Sequence, residues 1–216
     1  MKKSEATRKK ILEAALRIFR RRGFERTTMR DVAKAAGVAL GAAYYYFPSK
    51  DALVLAYYAN TQETHSAVAR EGMKLADSLE GRLRVVLHTK LDTIERDRKL
   101  LSALFRSVGD PASELSIFST RAKQVRDESI TLFHEALAPE ELPAELRSAL
   151  GLAFWSLSMG LVLYFIHDTS PKQEKTRRLV DQSVTLLASM MPMAPLLAPM
   201  GASVIAVLRD AGLSER

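Results

Sequence analysis

Three consecutive tyrosines, Tyr44, Tyr45 and Tyr46, are followed closely by Phe47 and Lys50. Successive side chains on a helix point about 100° apart, so one core cannot cover all three phenol rings. At least one ring must therefore face another partner. A phenol offers a flat apolar body for sugars and thymine methyl groups and a hydroxyl for phosphate oxygens, and the lysine adds a cation. These residues could therefore contact a polyanion, in particular nucleic acid.

Catalytic and metal-binding chemistry has little support in the rest of the chain. There is no cysteine, which excludes disulfides, zinc fingers, iron–sulfur clusters and cysteine nucleophiles. The four histidines, His65, His88, His134 and His167, have no metal-ligand spacing, and the sequence has no Gly-rich phosphate loop, G-x-S-x-G or H-E-x-x-H motif. We expect no enzymatic activity, no bound metal and no cofactor.

The charge of the chain is concentrated at its N-terminal end. Residues 1–50 contain 13 Lys/Arg and 4 Asp/Glu, a net charge of +9, whereas the whole chain carries only +7. Such asymmetry indicates a polyanion partner, either nucleic acid or a membrane surface, that is contacted at one end. The alternative is a solvated basic face without a partner.

The elements that must position the tyrosines are predicted to be short helices. Apolar periodicity predicts a first helix from about Glu5 to Arg22, which ends at Gly23. Thr28 and Asp31 form a capping-box pattern before a second helix, "MRDVAKAA", that ends at Gly37. A third helix holds "LGAAYYYF", and a fourth begins "KDALVLAYY" after Ser49.

The second and third helices are joined by "AAGVAL", which predicts a helix-turn-helix. Gly37 would allow the left-handed backbone that ends the second helix. Gly41, Ala42 and Ala43 would keep the outer surface of the third helix low, so that its backbone could approach DNA. Phe47 is the ring that we expect in the core.

The stretch "TTMRDVAKAAGVALGAAYYYFPSKDAL" resembles the signature of TetR-family transcriptional repressors. The resemblance covers residues 1 to about 55, and the rest of the chain is similar to that family only in length and helical character. It implies an all-α protein with a three-helix, helix-turn-helix DNA-binding domain at residues 1–50. Residues 51–216 would form a helical-bundle domain for effector binding and dimerisation.

The resemblance also implies which residues contact DNA. Thr28 would cap the second helix and approach a phosphate, Arg30 would reach bases or backbone, and Lys50 would touch a phosphate. The contacting positions of the third helix are occupied by Ala42, Tyr44, Tyr45 and Tyr46.

Three positions depart from the family pattern and change the expected readout. Ala39 and Ala42 stand where the family often has a hydroxyl residue, and Tyr46 replaces the usual histidine. The loss of polar groups favours backbone contacts, methyl contacts and DNA shape over direct hydrogen bonds to bases. For any one of the tyrosines, the alternative role is packing inside the protein.

Longer amphipathic helices are predicted beyond the basic region. They are roughly Ser78–Arg98, Lys99–Val108, Ser113–Ala138, Ala144–His167, Pro171–Met191 and a terminal helix near Met200–Ala211. Ser170, Pro171 and Gln173 together provide helix-start signals. By resemblance, Ala144–His167 and Pro171–Met191 would form a four-helix homodimer interface. The alternative is that these two helices are internal core only.

The small-molecule effector is expected to be apolar or amphipathic. His88 and Asp92 lie one helical turn apart and could meet to orient an imidazole toward a ligand, or His88 could be an ordinary histidine with satisfied hydrogen bonds at the edge of the core. Six further residues could line a cavity or form ordinary core: Phe105, Phe118, Phe133, Trp155, Met159 and Tyr164.

A stretch of 19 uncharged residues, 148–166, is near the length of a membrane span. We favour a buried helix and no membrane partner, because the composition is otherwise that of a soluble protein. The absence of cysteine and of a signal peptide indicates a cytoplasmic protein.

These observations together predict a ligand-responsive repressor that binds a pseudo-palindromic operator as a homodimer. The effector would release it from the operator. A dimeric DNA-binding protein without an effector and a membrane-associated regulator remain as alternatives.

Overall fold

The regular elements in the described part of the chain are all helical. The computed structural model describes residues 2–110, 113–116, 118–194, 196, 203, 206 and 207, and these ranges hold α-helices and 3₁₀ turns without a strand. The all-α fold class is therefore confirmed. The predicted terminal helix near Met200–Ala211 lies outside the described residues, apart from three isolated positions.

The α-helices follow one another in the order α1 to α9. Their bounds are α1 Lys2–Arg22, α2 Met29–Ala36, α3 Leu40–Tyr46, α4 Lys50–Met73, α5 Leu79–Ile94, α6 Arg98–Gly109, α7 Lys123–Leu137, α8 Ala144–His167 and α9 Glu174–Met190. Short 3₁₀ turns occupy Glu95–Asp97, Thr120–Ala122, Pro171–Gln173 and Met191–Met193.

The chain divides into two compact units. The first unit consists of Met1–Gln62 and Arg96–Val125, and the second consists of Glu63–Glu95 and Arg126–Arg216. The predicted functional division into residues 1–50 and 51–216 stays a prediction.

The first unit is built around the apolar face of α1. Ile11, Ala15 and Phe19 are buried there together with Val32 of α2 and Phe47, which follows α3. The prediction that Phe47 is a core ring is therefore confirmed. Ile11, Ala15 and Phe19 recur at helical spacing and therefore lie on one face of α1. Because α2 and α3 cover this face, its burial holds them against α1.

A buried carboxylate ties α1 to the chain after α5. Asp97 is buried, and it accepts hydrogen bonds from the guanidinium of Arg20 on α1 and from the hydroxyl of Tyr57 on α4 at 3.0 Å. A buried charge is stable only when it is paired and hydrogen-bonded, so this network fixes α1 in place.

The second unit is built around α5, which packs against α8 and α9. Leu83, Val86, Leu87 and Leu91 form its buried apolar face. Arg84 of α5 also donates hydrogen bonds to Asp181 and Thr185 of α9. Apolar burial and polar pairs therefore both hold α5 on α9.

Two helix starts after residue 110 differ from those predicted, and α1 also begins at Lys2 rather than at about Glu5. The predicted helix Ser113–Ala138 begins only at Lys123, because serine hydroxyls accept backbone N–H groups in the preceding turns. Ser113 Oγ accepts from the N–H of Leu115, and Ser119 Oγ accepts from that of Ala122. Local bonds of this kind compete with helix formation.

The second difference is at the start of α9, which begins at Glu174 rather than Pro171. Asp168 accepts hydrogen bonds from the N–H and hydroxyl of Thr176, at 2.9 and 2.7 Å. Lys172 and Gln173 have φ values of 49° and 53°, which a regular first helical turn does not allow. The regular helix therefore starts after these two residues, where the Asp168 carboxylate caps its first turn.

Candidate nucleic-acid interface and ligand site

The turn between α2 and α3 has the geometry of a helix-turn-helix. The side chain of Thr28 accepts a hydrogen bond from the N–H of Asp31, whose carboxylate accepts from the N–H of Thr28, so the predicted capping box is confirmed. Hydrogen bonds donated by the hydroxyl and by the N–H of Thr28 lower the pKa of the Asp31 carboxyl. Gly37 has a φ of 62°, and its N–H bonds to the end of α2.

Helix α3 separates the three tyrosines. Tyr45 is 81% exposed and Tyr44 is 48% exposed, so both rings project into solvent. Tyr46 is half-buried, and its hydroxyl donates to Ser4 Oγ at 3.3 Å. Its ring lies edge-on to that of Tyr45, with centroids 5.1 Å apart. Two rings are thus available to a partner, and the third packs toward α1.

The small residues of α3 do not all lie on its outer surface. Gly41 is exposed and Ala42 is half-buried, but Ala43 is fully buried. The expectation that Ala43 lowers the outer surface was wrong, because Ala43 lies on the face that α3 turns toward the core of the first unit. At the start of α3, Ala39 makes no side-chain capping bond.

Lys50 contacts Phe24 within the first unit. Its Nζ donates to the carbonyl oxygen of Phe24 at 3.0 Å and lies 4.4 Å from the centroid of the Phe24 ring. Thr28 and Arg30 are exposed at the start of α2. A phosphate contact by Lys50 would therefore have to add to, or replace, its contact with Phe24.

Exposed cations accompany the exposed tyrosines in the first unit. Lys10 on α1 and Lys34 on α2 are exposed, and a Cβ placed on Gly37 would lie 3.7 Å from the Nζ of Lys10. Lys10 is thus close to the turn that leads into α3. Cations beside flat, exposed aromatic rings suit a phosphate backbone and its sugars.

The predicted effector residues fall into different parts of the fold. Two of them, Phe105 and Phe118, belong to the first unit, and the other six belong to the second. Phe133 and Trp155 are buried, whereas Phe118 and Tyr164 are exposed. Met159 is half-buried on α8. Their roles in effector binding stay predictions.

His88 and Asp92 both have partners on α9. His88 Nε2 lies 2.9 Å from Asp181 Oδ1, and Asp92 accepts a hydrogen bond from Arg177 at 2.7 Å. Both residues face α9 because they are one turn apart on the same side of α5. These contacts hold α5 on α9, and a ligand at this place would compete with them.

His65 on α4 is a buried polar residue that the sequence did not single out. It is 2% exposed, and its Nε2 lies 2.9 Å from the carbonyl oxygen of Val86. Burial and the charge of Lys90 lower the pKa of His65 to about 3. His65 and Ser66 are polar residues in a buried stripe of α4 that continues to Ala69, and polar residues in such a stripe were the signal that could have identified His65.

The described residues contain no cluster of three or more His, Asp or Glu side chains that could hold a metal ion. Among the described helices, α8 alone is long and apolar enough to cross a membrane. The core helix of a soluble protein can have the same length and apolar composition.

Two family models match the chain. The model of bacterial regulatory proteins of the tetR family matches residues 11–57. The model of the tetracyclin repressor-like C-terminal domain matches residues 82–201. Together they cover the helix-turn-helix and most of the second unit.

Individual proteins resemble the chain in sequence or in fold. The HTH-type transcriptional regulator TtgR of Pseudomonas putida is 46% identical over 67 residues, which are 31% of this chain and 32% of TtgR. A putative TetR-family regulator from Syntrophomonas wolfei has a TM-score of 0.68 at 16% identity, over 86% of this chain and 96% of its own. Thermus thermophilus FadR, a TetR-family repressor solved with lauroyl-CoA, has a TM-score of 0.57 at 22% identity, over 84% and 92%.

Proposed function

Because this chain belongs to the TetR family of bacterial regulatory proteins, we propose that it is a cytoplasmic, ligand-responsive transcriptional repressor. It binds a pseudo-palindromic operator as a homodimer, and a small apolar or amphipathic effector releases it. Its relatives are named transcriptional regulators rather than enzymes.

The observation that carries this proposal is the exposure of Tyr44 and Tyr45 on α3, inside the basic first unit. A large ring that is 81% exposed gains nothing from the core of its own chain. On the recognition helix of a helix-turn-helix, the same ring reaches sugars, thymine methyl groups and phosphates of the major groove.

The remaining predicted DNA contacts surround these two rings. Thr28 and Arg30 are exposed at the start of α2, where a phosphate or a base edge would lie. Ala42 leaves room for the DNA backbone. Tyr46 contributes by holding the ring of Tyr45, and Lys50 contributes a cation that would turn from Phe24 to a phosphate.

The homodimer is proposed to form through α8 and α9, near residues 144–167 and 171–191. Ala153, Ser156 and Gly160 form an exposed row of small residues on α8. On α9, the exposed apolar side chains include Leu186 and Met190. Small residues allow close approach of a partner helix, and exposed apolar ones gain free energy when they are covered.

An amphipathic effector is supported by the ligand of a structural neighbour. FadR of Thermus thermophilus was solved with lauroyl-CoA, which has a long apolar chain and a polar head. The second unit of this chain is rich in buried apolar residues, to which the apolar part of such a molecule is suited. The alternative is a dimer that binds DNA without an effector.

Binding-site selection from random duplex DNA tests the proposal. Two recognition helices related by two-fold symmetry should enrich a pseudo-palindrome with half-sites about one helical turn apart. A folded, dimeric protein that enriches no site would contradict the proposed function.

The selected operator then tests Tyr45 directly. Tyr45→Ala should weaken operator binding by about 1–2 kcal/mol, because the ring and its hydroxyl both lose their contacts. Tyr45→Phe, which keeps the ring, should lose only the part due to the hydroxyl. Fluorescence anisotropy with labelled operator measures both variants, and wild-type affinity in Tyr45→Ala would remove this ring from the interface.

A further inference from the structure

The side chains of α3 offer no selective hydrogen bond to a base. The helix Leu40–Tyr46 has the sequence LGAAYYY, without arginine, lysine, an amide or a carboxylate. Those are the side chains that distinguish guanine, adenine and cytosine in the major groove. The polar groups of α3 are phenol hydroxyls, and a hydroxyl both donates and accepts, so it fits a donor or an acceptor on any base. Hydrogen bonds from α3 side chains therefore do not determine which base the helix contacts.

Gly41 lies at the centre of the outward face of α3. At 100° per residue, Gly41 and Tyr45 lie nearly opposite Ala43, which is buried against the core of the first unit. Gly41 is exposed, and its backbone is not left-handed. A Cβ placed on it would meet no atom of the described residues within 4 Å. The described part of the chain thus gives no reason for a glycine where alanine would form a better helix.

The side chains next to Gly41 on this face are apolar or aromatic. Ala42 follows it directly and is half-buried, and Tyr45 follows one helical turn later on the same side. The ring of Tyr45 is 81% exposed, and that of Tyr46 lies edge-on to it at 5.1 Å between centroids. The outward face of α3 therefore has a gap at Gly41, beside the methyl group of Ala42 and an aromatic ring.

One group on the base edges of the major groove is apolar, the C5-methyl group of thymine. The other groups that bases present there are hydrogen-bond donors and acceptors. An apolar helix face gains free energy when it covers a methyl group, because both surfaces leave water. A position without a side chain also lets the helix approach the base edge closely.

We propose that α3 selects its operator by the C5-methyl groups of thymines. A thymine methyl enters the gap at Gly41 and contacts the methyl group of Ala42 and the ring of Tyr45. These three residues determine specificity on α3, whereas contacts to phosphates position the protein without selecting a sequence. The inference rests on the proposed function, because it takes the operator as the partner of α3.

Replacing thymines of the selected operator by deoxyuridine tests the proposal on the wild-type protein. Uracil pairs as thymine does and lacks only the C5-methyl group. At the thymines that α3 contacts, each methyl group removed should weaken binding about fourfold, as measured by fluorescence anisotropy. Unchanged affinity after substitution of each thymine of the half-sites in turn would overturn the proposal, and so would selected half-sites without thymine.

Cytosine provides the converse test at the position where uracil weakens binding most. The T·A pair is replaced there by C·G, with or without a methyl group on C5 of the cytosine. 5-Methylcytosine carries this group where thymine does, so the methylated duplex should bind about fourfold more tightly than the unmethylated one. Equal affinities of the two duplexes would contradict readout of the methyl group.

A double-mutant cycle assigns the contact to Ala42. Ala42→Gly removes a methyl group from the protein and uracil removes one from the DNA, so in this variant uracil should weaken binding less than about twofold. Any loss of helix stability affects both operators equally and cancels in the cycle. Ala67→Gly is the control, because Ala67 is exposed on α4 in the second unit, and it should keep the full effect of uracil. The full effect in Ala42→Gly would exclude Ala42 from the contact.

Gly41→Ala separates close approach to DNA from a structural role of the glycine. Alanine is the better helix former and its Cβ meets no atom of the described residues, so the melting temperature should equal or exceed that of the wild type. Operator affinity should nevertheless fall about tenfold, because the added methyl group occupies the space of the thymine methyl. A destabilised variant, or one with wild-type affinity, would contradict the role proposed for Gly41.

The uracil series also distinguishes this inference from the proposed function. A protein that binds a selected pseudo-palindrome but does not respond to the loss of any C5-methyl group would contradict the inference and leave the proposed function standing. A folded, dimeric protein that selects no site would contradict the proposed function and the inference with it.

Discussion

The orientation of single side chains determines what α3 can contact. Tyr46 is anchored through Ser4, and its ring lies against that of Tyr45. The most exposed ring of the helix is therefore partly held in place before any partner arrives. A side chain that is ordered in advance loses less entropy when it binds, which favours affinity.

His65 gives the protein a specific acid sensitivity. Its pKa is lowered from 6.5 to about 3 in the folded chain by burial and by the charge of Lys90. Between these values the unfolded state binds more protons than the folded state. The contribution of His65 to stability is therefore fully present above pH 6.5 and is lost as the pH falls toward 3.

Urea unfolding at a series of pH values measures this effect. The free energy of unfolding of the wild type should fall by up to about 1.4 kcal/mol for each pH unit below about 6 through His65 alone. His65→Gln should be less sensitive over this range, and His167→Gln should follow the wild type. Parallel curves for His65→Gln and the wild type would show that His65 does not titrate as described.

Residues whose role depends on near neighbours in the chain could be predicted from the sequence, whereas a residue that contacts another helix could not. Thr28, Gly37 and Phe47 were predicted correctly, because a cap, a left-handed glycine and a core ring depend on residues within a few positions. The buried contact of His65 Nε2 with the carbonyl oxygen of Val86 joins residues that are 21 positions apart on two helices. The sequence does not show which residue of α5 lies opposite His65.

Helix α8 has two faces of different character. Phe154, Trp155 and Phe165 are buried on one face, whereas Ala153 and Gly160 are exposed on the other. Because neither face carries a charge, the sequence of α8 is compatible with both a membrane span and a buried helix. We assign the exposed face to the partner subunit of the proposed homodimer.

Gly160→Glu tests that assignment. A Cβ at this position meets no atom within 4 Å, and glutamate is a better helix former than glycine, so the isolated chain should accept it. In the dimer, however, the charge would be buried against a partner helix without a counter-ion. Sedimentation velocity should show monomers at concentrations where the wild type is dimeric.

A second exposed position provides the control for Gly160→Glu. Val68 is 50% exposed on α4, and Val68→Glu introduces the same charge on a helix other than α8 and α9. It should leave the dimer intact. A Gly160→Glu protein that stays dimeric would exclude this face of α8 from the interface.

Helices were easier to predict than their first residues. Apolar periodicity extends over many positions and gave α5, α6 and α8 within a few residues, but α9 begins three residues later than Pro171. Ser170 accepts a hydrogen bond from the N–H of Lys175, and Asp168 accepts one from the N–H of Thr176, so both side chains cap the first turn of α9 from residues that precede Pro171. Burial alone would raise the pKa of Asp168, but hydrogen bonds from Ser170 and Thr176 outweigh it and lower the pKa.

Over the full length of the chain, positive charge is concentrated in the first 50 residues. Residues 1–50 carry a net charge of +9, while the full chain carries +7, so the rest is slightly acidic. A basic recognition region attracts DNA, and a slightly acidic remainder does not compete for the phosphates. The sequence alone established this asymmetry, whereas the positions of the exposed tyrosines required the fold.

In the proposed function, two copies of the chain bind one operator through their basic regions. The most direct test measures the affinity for the selected operator at increasing salt, together with the mass of the complex. If each copy neutralises about four phosphates, the log–log slope should be about −7, and two chains should occupy one duplex. A complex with one chain per duplex, or an affinity that does not depend on salt, would contradict operator binding by a basic homodimer.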